Sequence, residues 1–218
     1  EFLPSRTGFA SSCLASHIAA TMPDRHPSPD PLTALLQDIG ACSLCTSLPL
    51  GPQPLLQASR SARILLAGQA PGRKTHAAAM PFADASGERL RDWLGIDRET
   101  FYDPARIAIL PMAFCYPGTG SGGDLAPPPL CADSWRGRLL EHLPNLELTV
   151  PIGAYAQQWH LGRGTMSLTE RVRGWRTHWP ALVPLPHPSP RNNRWLKRNP
   201  WFEVELLPSL RARVAELV

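Results

Sequence analysis

Ile64-Leu65-Leu66-Ala67-Gly68-Gln69-Ala70-Pro71-Gly72 is the stretch that decides the fold. Its first four residues form an uninterrupted apolar run, the pattern of a strand buried on both faces in a parallel sheet. The five that follow make a Gly/Pro loop suited to close backbone approach. A second segment repeats the design: Ala181-Leu182-Val183-Pro184-Leu185 leads into His187-Pro188-Ser189-Pro190-Arg191-Asn192. Open α/β sheets gather their sites at the carboxyl ends of strands. The two loops therefore read as halves of one site, the first offering backbone and the second a histidine.

Outward from these segments, Ile107–Leu110 and Leu148–Val150 read as two further buried strands. Helical spacing occupies Leu32–Ile39, with Gly40 as terminator, and Gly87–Leu94, Cys131–Leu143 and Ala154–Trp159. A last helix is expected over Trp201–Leu217, bent at Pro208. Tyr116–Pro129, rich in Gly and Pro, reads as a long functional loop. Strands alternating with helices predict one three-layer α/β/α domain over residues 32–218, with a central, mainly parallel four-stranded sheet. Residues 1–31 read as a tag-like, disordered lead-in, with Met22 as the native start. That lead-in holds a second His26-Pro27-Ser28-Pro29, which no strand precedes and which is taken as a decoy.

A hydrophobic content of 43% and a charged content of 18% over 218 residues suit a soluble globular protein. No apolar stretch reaches bilayer-spanning length, so no membrane association is expected. A monomer is expected, located in the cytoplasm (on the nucleoid if the source is bacterial). The net charge of +4 permits a polyanionic partner without requiring one. The cations are uneven, however: Arg191, Arg194, Lys197 and Arg198 crowd the second motif and its flank.

Setting Cys13 aside leaves Cys42, Cys45, Cys115 and Cys131, spaced Cys-x2-Cys, a long gap, then Cys-x15-Cys. Disulfides, a tetrahedral zinc, an iron–sulfur cluster and buried free thiols all remain open on these residues. Structural zinc sites favour two tight knuckles; a cluster tolerates one knuckle and one wide pair.

Four motifs in order resemble the uracil-DNA glycosylase superfamily, most closely its iron–sulfur family 4 branch. They are Gly68–Gly72, Pro81-Phe82-Ala83-Asp84-Ala85-Ser86-Gly87, Cys115-Tyr116-Pro117-Gly118 and His187-Pro188-Ser189. His187–Asn192 is also similar to the His-Pro-Ser-Pro-Arg-Asn of single-strand-selective monofunctional uracil glycosylases. The resemblance covers roughly residues 32–218 and implies a structural [4Fe–4S] cluster on Cys42, Cys45, Cys115 and Cys131, with zinc as the alternative. Three positions depart from family 4. Gln69 replaces its motif glutamate, Asp84 stands where it has glycine, and Leu110-Pro111-Met112-Ala113 lacks the asparagine that would read the uracil edge.

The resemblance implies excision of uracil from single- or double-stranded DNA by base flipping, leaving an abasic site. A neutral His187 would donate to the departing uracil anion. Backbone of Gln69, Ala70, Pro71 and Gly72 would hold the flipped nucleotide, and Phe82 would stack on its base. Asp84 would activate water or balance charge on the sugar, while Gln69 could only position water. Ser189, Arg191, Asn192, Asn193, Arg194 and Lys197 would contact DNA, making binding salt-sensitive. The plainer readings are a strand-capping histidine, a tight turn, a core phenylalanine, a helix N-cap at Asp84 and a solvated basic face. Two rival functions stay open: excision of another deaminated base such as hypoxanthine, and non-catalytic DNA binding.

Overall fold

The computed structural model describes residues 30–218. The expectations for residues 1–29 of the lead-in, the decoy motif and Cys13 fall outside this range, whereas Asp30 and Pro31, read as the end of that lead-in, cap and begin the first helix. In chain order the helices and strands are α1 (Pro31–Gly40), β1 (Ile64–Ala67), α2 (Arg73–Ala77), α3 (Ala85–Leu94), α4 (Arg98–Tyr102) and β2 (Ile107–Ile109). A small hairpin, β3 (Thr119–Gly120) and β4 (Gly123–Asp124), follows. After it come α5 (Pro129–Cys131), a π turn over Ala132–Arg136, α6 (Gly137–Glu141), β5 (Leu148–Pro151), α7 (Gly153–Leu161) and α8 (Leu168–Arg173). The chain closes with α9 (Asn193–Arg198), a second π turn over Phe202–Leu206 and α10 (Leu207–Leu217).

The central sheet is parallel, in the order β2-β1-β5. Alternation along its buried strands sets the three layers, because successive side chains point to opposite faces. Ile64, Leu66, Ile107 and Ile109 join one core with Leu90, Trp93, Phe101 and Leu210, from α3, α4 and α10. Leu65, Ala108 and Leu110 join the other with Leu32, Leu35, Ile39 and Leu139, from α1 and α6. Gln57 closes the outer edge of β2 through reciprocal backbone bonds with Ile109, at 2.9 and 2.7 Å.

The expected fourth strand is corrected here. Beside β5 the chain makes only two isolated parallel bridges, Thr149 with Leu182 and Ile152 with Leu185. Backbone bonds do link it to β5, including Val183 N–H to Thr149 at 3.0 Å and Leu185 N–H to Pro151 at 3.0 Å. Pro151 of β5 has no N–H to give the Val183 carbonyl, which breaks the ladder between the two bridges; Pro184 and Pro186 fall on the alternate residues that face away from β5. The segment still delivers the chain to His187.

Two other readings are refined. The long loop after Cys115 contains the β3–β4 hairpin. The final helix does not bend at Pro208 alone; its start is widened into a π turn just before that proline, whose missing N–H leaves a helical acceptor unpaired. At the other end α1 starts at Pro31, with the Asp30 carboxylate accepting from Leu32 and Thr33.

β1 lies between β2 and β5, so the chain leaves it toward one neighbour and later returns on its other side. The carboxyl end of β1 is therefore the topological switch point, where open α/β sheets form their crevice. Gly68–Gly72 occupies that position.

Candidate active site

A cleft of about 440 Å³ opens at this switch point. It is lined by Gly68–Gly72 from the first motif, Phe82 and Asp84 from the segment before α3, Pro111 after β2, Asp124 on β4, and His187, Ser189 and Arg191 from the second motif. The two loops that stood far apart in sequence do meet, because the β1 end and the 182–185 segment flank β5.

His187 is half-buried, and its orientation is fixed by its own loop. The Ser189 backbone N–H donates to His187 Nδ1 at 3.2 Å, so Nδ1 is the acceptor and the proton of the neutral ring belongs on Nε2. The Asn192 side-chain amide donates to the His187 carbonyl at 2.7 Å and closes the turn. Burial pushes the imidazole below its usual range, against the opposing pull of the Asp84 and Asp124 carboxylates. A neutral ring with a donor at Nε2 is the result. Gly153, at φ +82, lies beside it; a Cβ there would come within 3.8 Å of the His187 Cβ.

Phe82 adopts a left-handed backbone (φ +54), uncommon for a bulky residue. Three contacts hold it there. Tyr102 Oη donates to the Pro81 carbonyl at 2.8 Å, Phe101 meets the Phe82 ring edge-on at 6.1 Å, and the ring tip lies 3.1 Å from where a Cβ of Gly68 would stand. Both aromatics come from α4, a helix that went unread in the sequence; its signal was Asp97, whose carboxylate caps Thr100 N–H at 2.8 Å.

Asp84 takes the N-cap role: its Oδ1 accepts from Gly87 N–H at 3.0 Å at the start of α3. It lines the cleft as well. Gln69 Nε2 donates to the Leu125 carbonyl at 3.3 Å, tying the first motif to the hairpin. Asp124 was not picked out in the sequence. The signal was the turn-rich Gly120-Ser121-Gly122-Gly123, which marks a hairpin carrying one acid.

The basic flank divides. Asn192 is engaged inside its own loop, and the Asn193 side-chain Oδ1 accepts from Arg89 at 2.8 Å. The Ser189 hydroxyl accepts from Arg191 N–H at 3.3 Å. Arg191 lies against Gly123, where any Cβ would overlap its guanidinium. Arg194 and Lys197 are exposed on α9.

Behind the β2 end sits Arg136, fully buried on the first π turn. Its Nη1 donates to the Leu110 carbonyl at 2.8 Å and its Nη2 meets His160 Nε2 at 2.8 Å. Burial lowers its pKa to about 10 and, with the Arg136 charge adding to the effect, lowers that of His160 to about 3. Pro111, where the resemblance would have an asparagine nearby, presents no N–H to the cleft.

Cys42, Cys45, Cys115 and Cys131 are free thiols lining one small apolar cavity of about 20 Å³, with Leu44, Phe114 and Trp135. Burial pushes the Cys115 thiol up and the Cys131 thiol up to about 11. Among the described residues, no group of three or more His, Cys, Asp or Glu is arranged to hold a metal ion.

A sequence model described as the uracil DNA glycosylase superfamily matches residues 57–211. The chain belongs to the uracil DNA glycosylase superfamily. The match takes in β1 and the start of α10, and the five cleft-forming segments named above all lie inside the superfamily domain. Cys42 and Cys45 precede it. Among the described residues, no helix is long and apolar enough to cross a membrane.

Proposed function

We propose that this superfamily member is a monofunctional DNA glycosylase of the iron–sulfur family 4 type, hydrolysing the N-glycosidic bond of uracil in DNA. One observation carries the reading: a half-buried, neutral His187, with its Nδ1 occupied by Ser189 N–H, lines a cleft of base-accommodating size at the switch point. As the C1′–N1 bond breaks, its electron pair goes to the base and negative charge grows toward O2. The Nε2–H of His187 donates to that oxygen, and its benefit rises with the charge. Water adds to C1′, leaving an abasic sugar and free uracil.

Backbone from Gln69 to Gly72 holds the flipped nucleotide, with Gly68 and Gly72 permitting close approach. Phe82, already held rigid by α4, stacks on the base. Asp84 balances positive charge on the sugar. Arg191, Arg194 and Lys197 engage phosphates, while Ser189, Asn192 and Asn193 hold the loop that presents them.

Cys42, Cys45, Cys115 and Cys131 would hold a [4Fe–4S] cluster, whose contribution is structural. The donor chemistry fits, since all four thiols line one apolar cavity. A single zinc needs its sulfurs to converge at about 2.3 Å from one point, whereas a cluster spreads them.

Pro111 in place of a base-reading side chain keeps a second substrate in view, another deaminated base such as hypoxanthine. The test is alkali-cleavable site formation on single- and double-stranded oligonucleotides carrying one uracil, hypoxanthine or thymine. Uracil should be excised, with His187→Ala slowing the single-turnover step about 10²–10³-fold. Excision of hypoxanthine alone would change the substrate, and binding without excision of any base would reject the enzyme.

A further inference from the structure

We propose that the general base for the attacking water is Asp124, delivered from the β3–β4 hairpin rather than from either sequence motif. The assignment rests on the glycosylase reading above. The hydrolysis needs a group that takes a proton from water as the oxygen bonds to C1′. Gln69, at the position where the related branch has an acid, has no basic site at neutral pH. Among the described residues lining the cleft, only Asp84 and Asp124 carry carboxylates.

The two differ in their surroundings. Asp84 is the N-cap of α3, its Oδ1 held by Gly87 N–H. That bond commits the Asp84 carboxylate to the helix start and fixes it there. Asp124 is exposed, and its Oδ1 takes one bond, from Thr119 Oγ1 at 3.2 Å. Its Oδ2 lies 3.3 Å from where a Cβ of Gly72 would stand, across the backbone assigned to hold the flipped nucleotide. A side chain at residue 72 would crowd that oxygen.

The hairpin is tied to both halves of the site. Gln69 donates to the Leu125 carbonyl next to Asp124, and the Arg191 guanidinium lies against Gly123 on its other side. The Tyr116 hydroxyl, 2.5 Å from Thr119 Oγ1, braces the residue that holds Oδ1. Asp124 and His187 line the same cleft, the carboxylate from the hairpin and the imidazole from the second motif.

The step balances. Water oxygen bonds to C1′, one of its protons passes to Asp124, and the C1′–N1 electron pair leaves with the base. The proton on Asp124 then returns to solvent or to the departing base.

Single-turnover excision by wild type, Asp124→Asn, Asp84→Asn and Asp124→Ala tests this, with binding measured on DNA carrying a non-hydrolysable 2′-fluoro uridine. Asn still caps a helix, so Asp84→Asn removes the charge and keeps the fold. Asp124→Asn should slow excision by about 100-fold or more, the range for a general base, and should lose the acid-side fall of the pH profile. Its melting temperature and affinity for the 2′-fluoro DNA should match wild type. Added formate should restore part of the rate to Asp124→Ala, and Asp84→Asn should slow excision only about tenfold, a change of about 1.4 kcal/mol. An Asp124→Asn rate within threefold of wild type, or an acid limb that persists in it, would overturn the assignment. A wild type that excises no base would instead sink the glycosylase reading beneath it.

Discussion

Gly87 is the residue whose side chain is most tightly forbidden. A Cβ there would overlap the Phe82 carbonyl and stand 2.8 Å from the Phe82 Cβ. The obstacle is backbone, which cannot swing away as a side-chain end can. Phe82 already holds a left-handed conformation, a state costing on the order of 1–3 kcal/mol that only packed surroundings sustain. Gly87→Ala should therefore destabilise the protein by about 1–3 kcal/mol, lower Tm by about 5 °C, and displace the stacking ring. Differential scanning calorimetry with single-turnover excision checks both effects; an unchanged Tm with full activity would contradict the packing argument. At this scale His187, Phe82 and the Gly68–Gly72 loop were legible, because each stands at the end of a strand or within a motif. Asp124 was not. A lone acid in a Gly-rich loop looks like any surface acid until the hairpin folds it over Gly72. Arg136 was equally hidden, since burial of a charge depends on carbonyl partners from a distant strand.

The elements show the same division between local and distant causes. β1, β2 and β5 were legible from apolar runs, and α1, α3 and α7 from helical spacing and good terminators. The short helices α2, α4, α8 and α9 escaped, because five or six residues complete too few turns for a periodicity. The segment beside β5 was overread: its apolar content announces burial, but a ladder also needs a donor from β5 that Pro151 lacks. The π turn over Ala132–Arg136 carries a consequence for stability. It aims Arg136 at the β2 end and against His160 on α7. His160 has a folded pKa near 3, far below its unfolded value of 6.5. Between these values the unfolded chain binds the extra proton, so stability falls as pH drops from about 6.5 toward 3. The slope per proton reaches about 1.4 kcal/mol per pH unit. His160→Gln can still accept from Arg136 but cannot titrate. Urea unfolding at pH 7.5, 6 and 5 should show it losing less stability on acidification than wild type, by on the order of 1 kcal/mol per pH unit. Parallel pH dependence in the two proteins would remove His160 from the account.

For the whole molecule the question is what fixes a long loop carrying a catalytic carboxylate. The central ladder has three short strands, and the β3–β4 hairpin makes four backbone-register residues of its own and little core. Cys115 and Cys131 bracket that loop, and Cys42 and Cys45 follow α1. A cluster on these four thiols would pin the α1 exit, the loop and α5 at one point. None of the four lines the cleft. Protein isolated without oxygen should thus be brown, absorb broadly near about 400 nm, and carry about four iron and four sulfide per chain. Cys45→Ser should lose the absorbance, melt lower, and expose Gly120–Gly122 to limited proteolysis. Its excision rate should fall even though the cleft residues are all intact, because Asp124 rides on the loosened hairpin. Colourless protein with one zinc per chain would replace the cluster with a metal knuckle. Brown protein whose Cys45→Ser variant keeps a protected hairpin and full activity would separate the cluster from the site altogether.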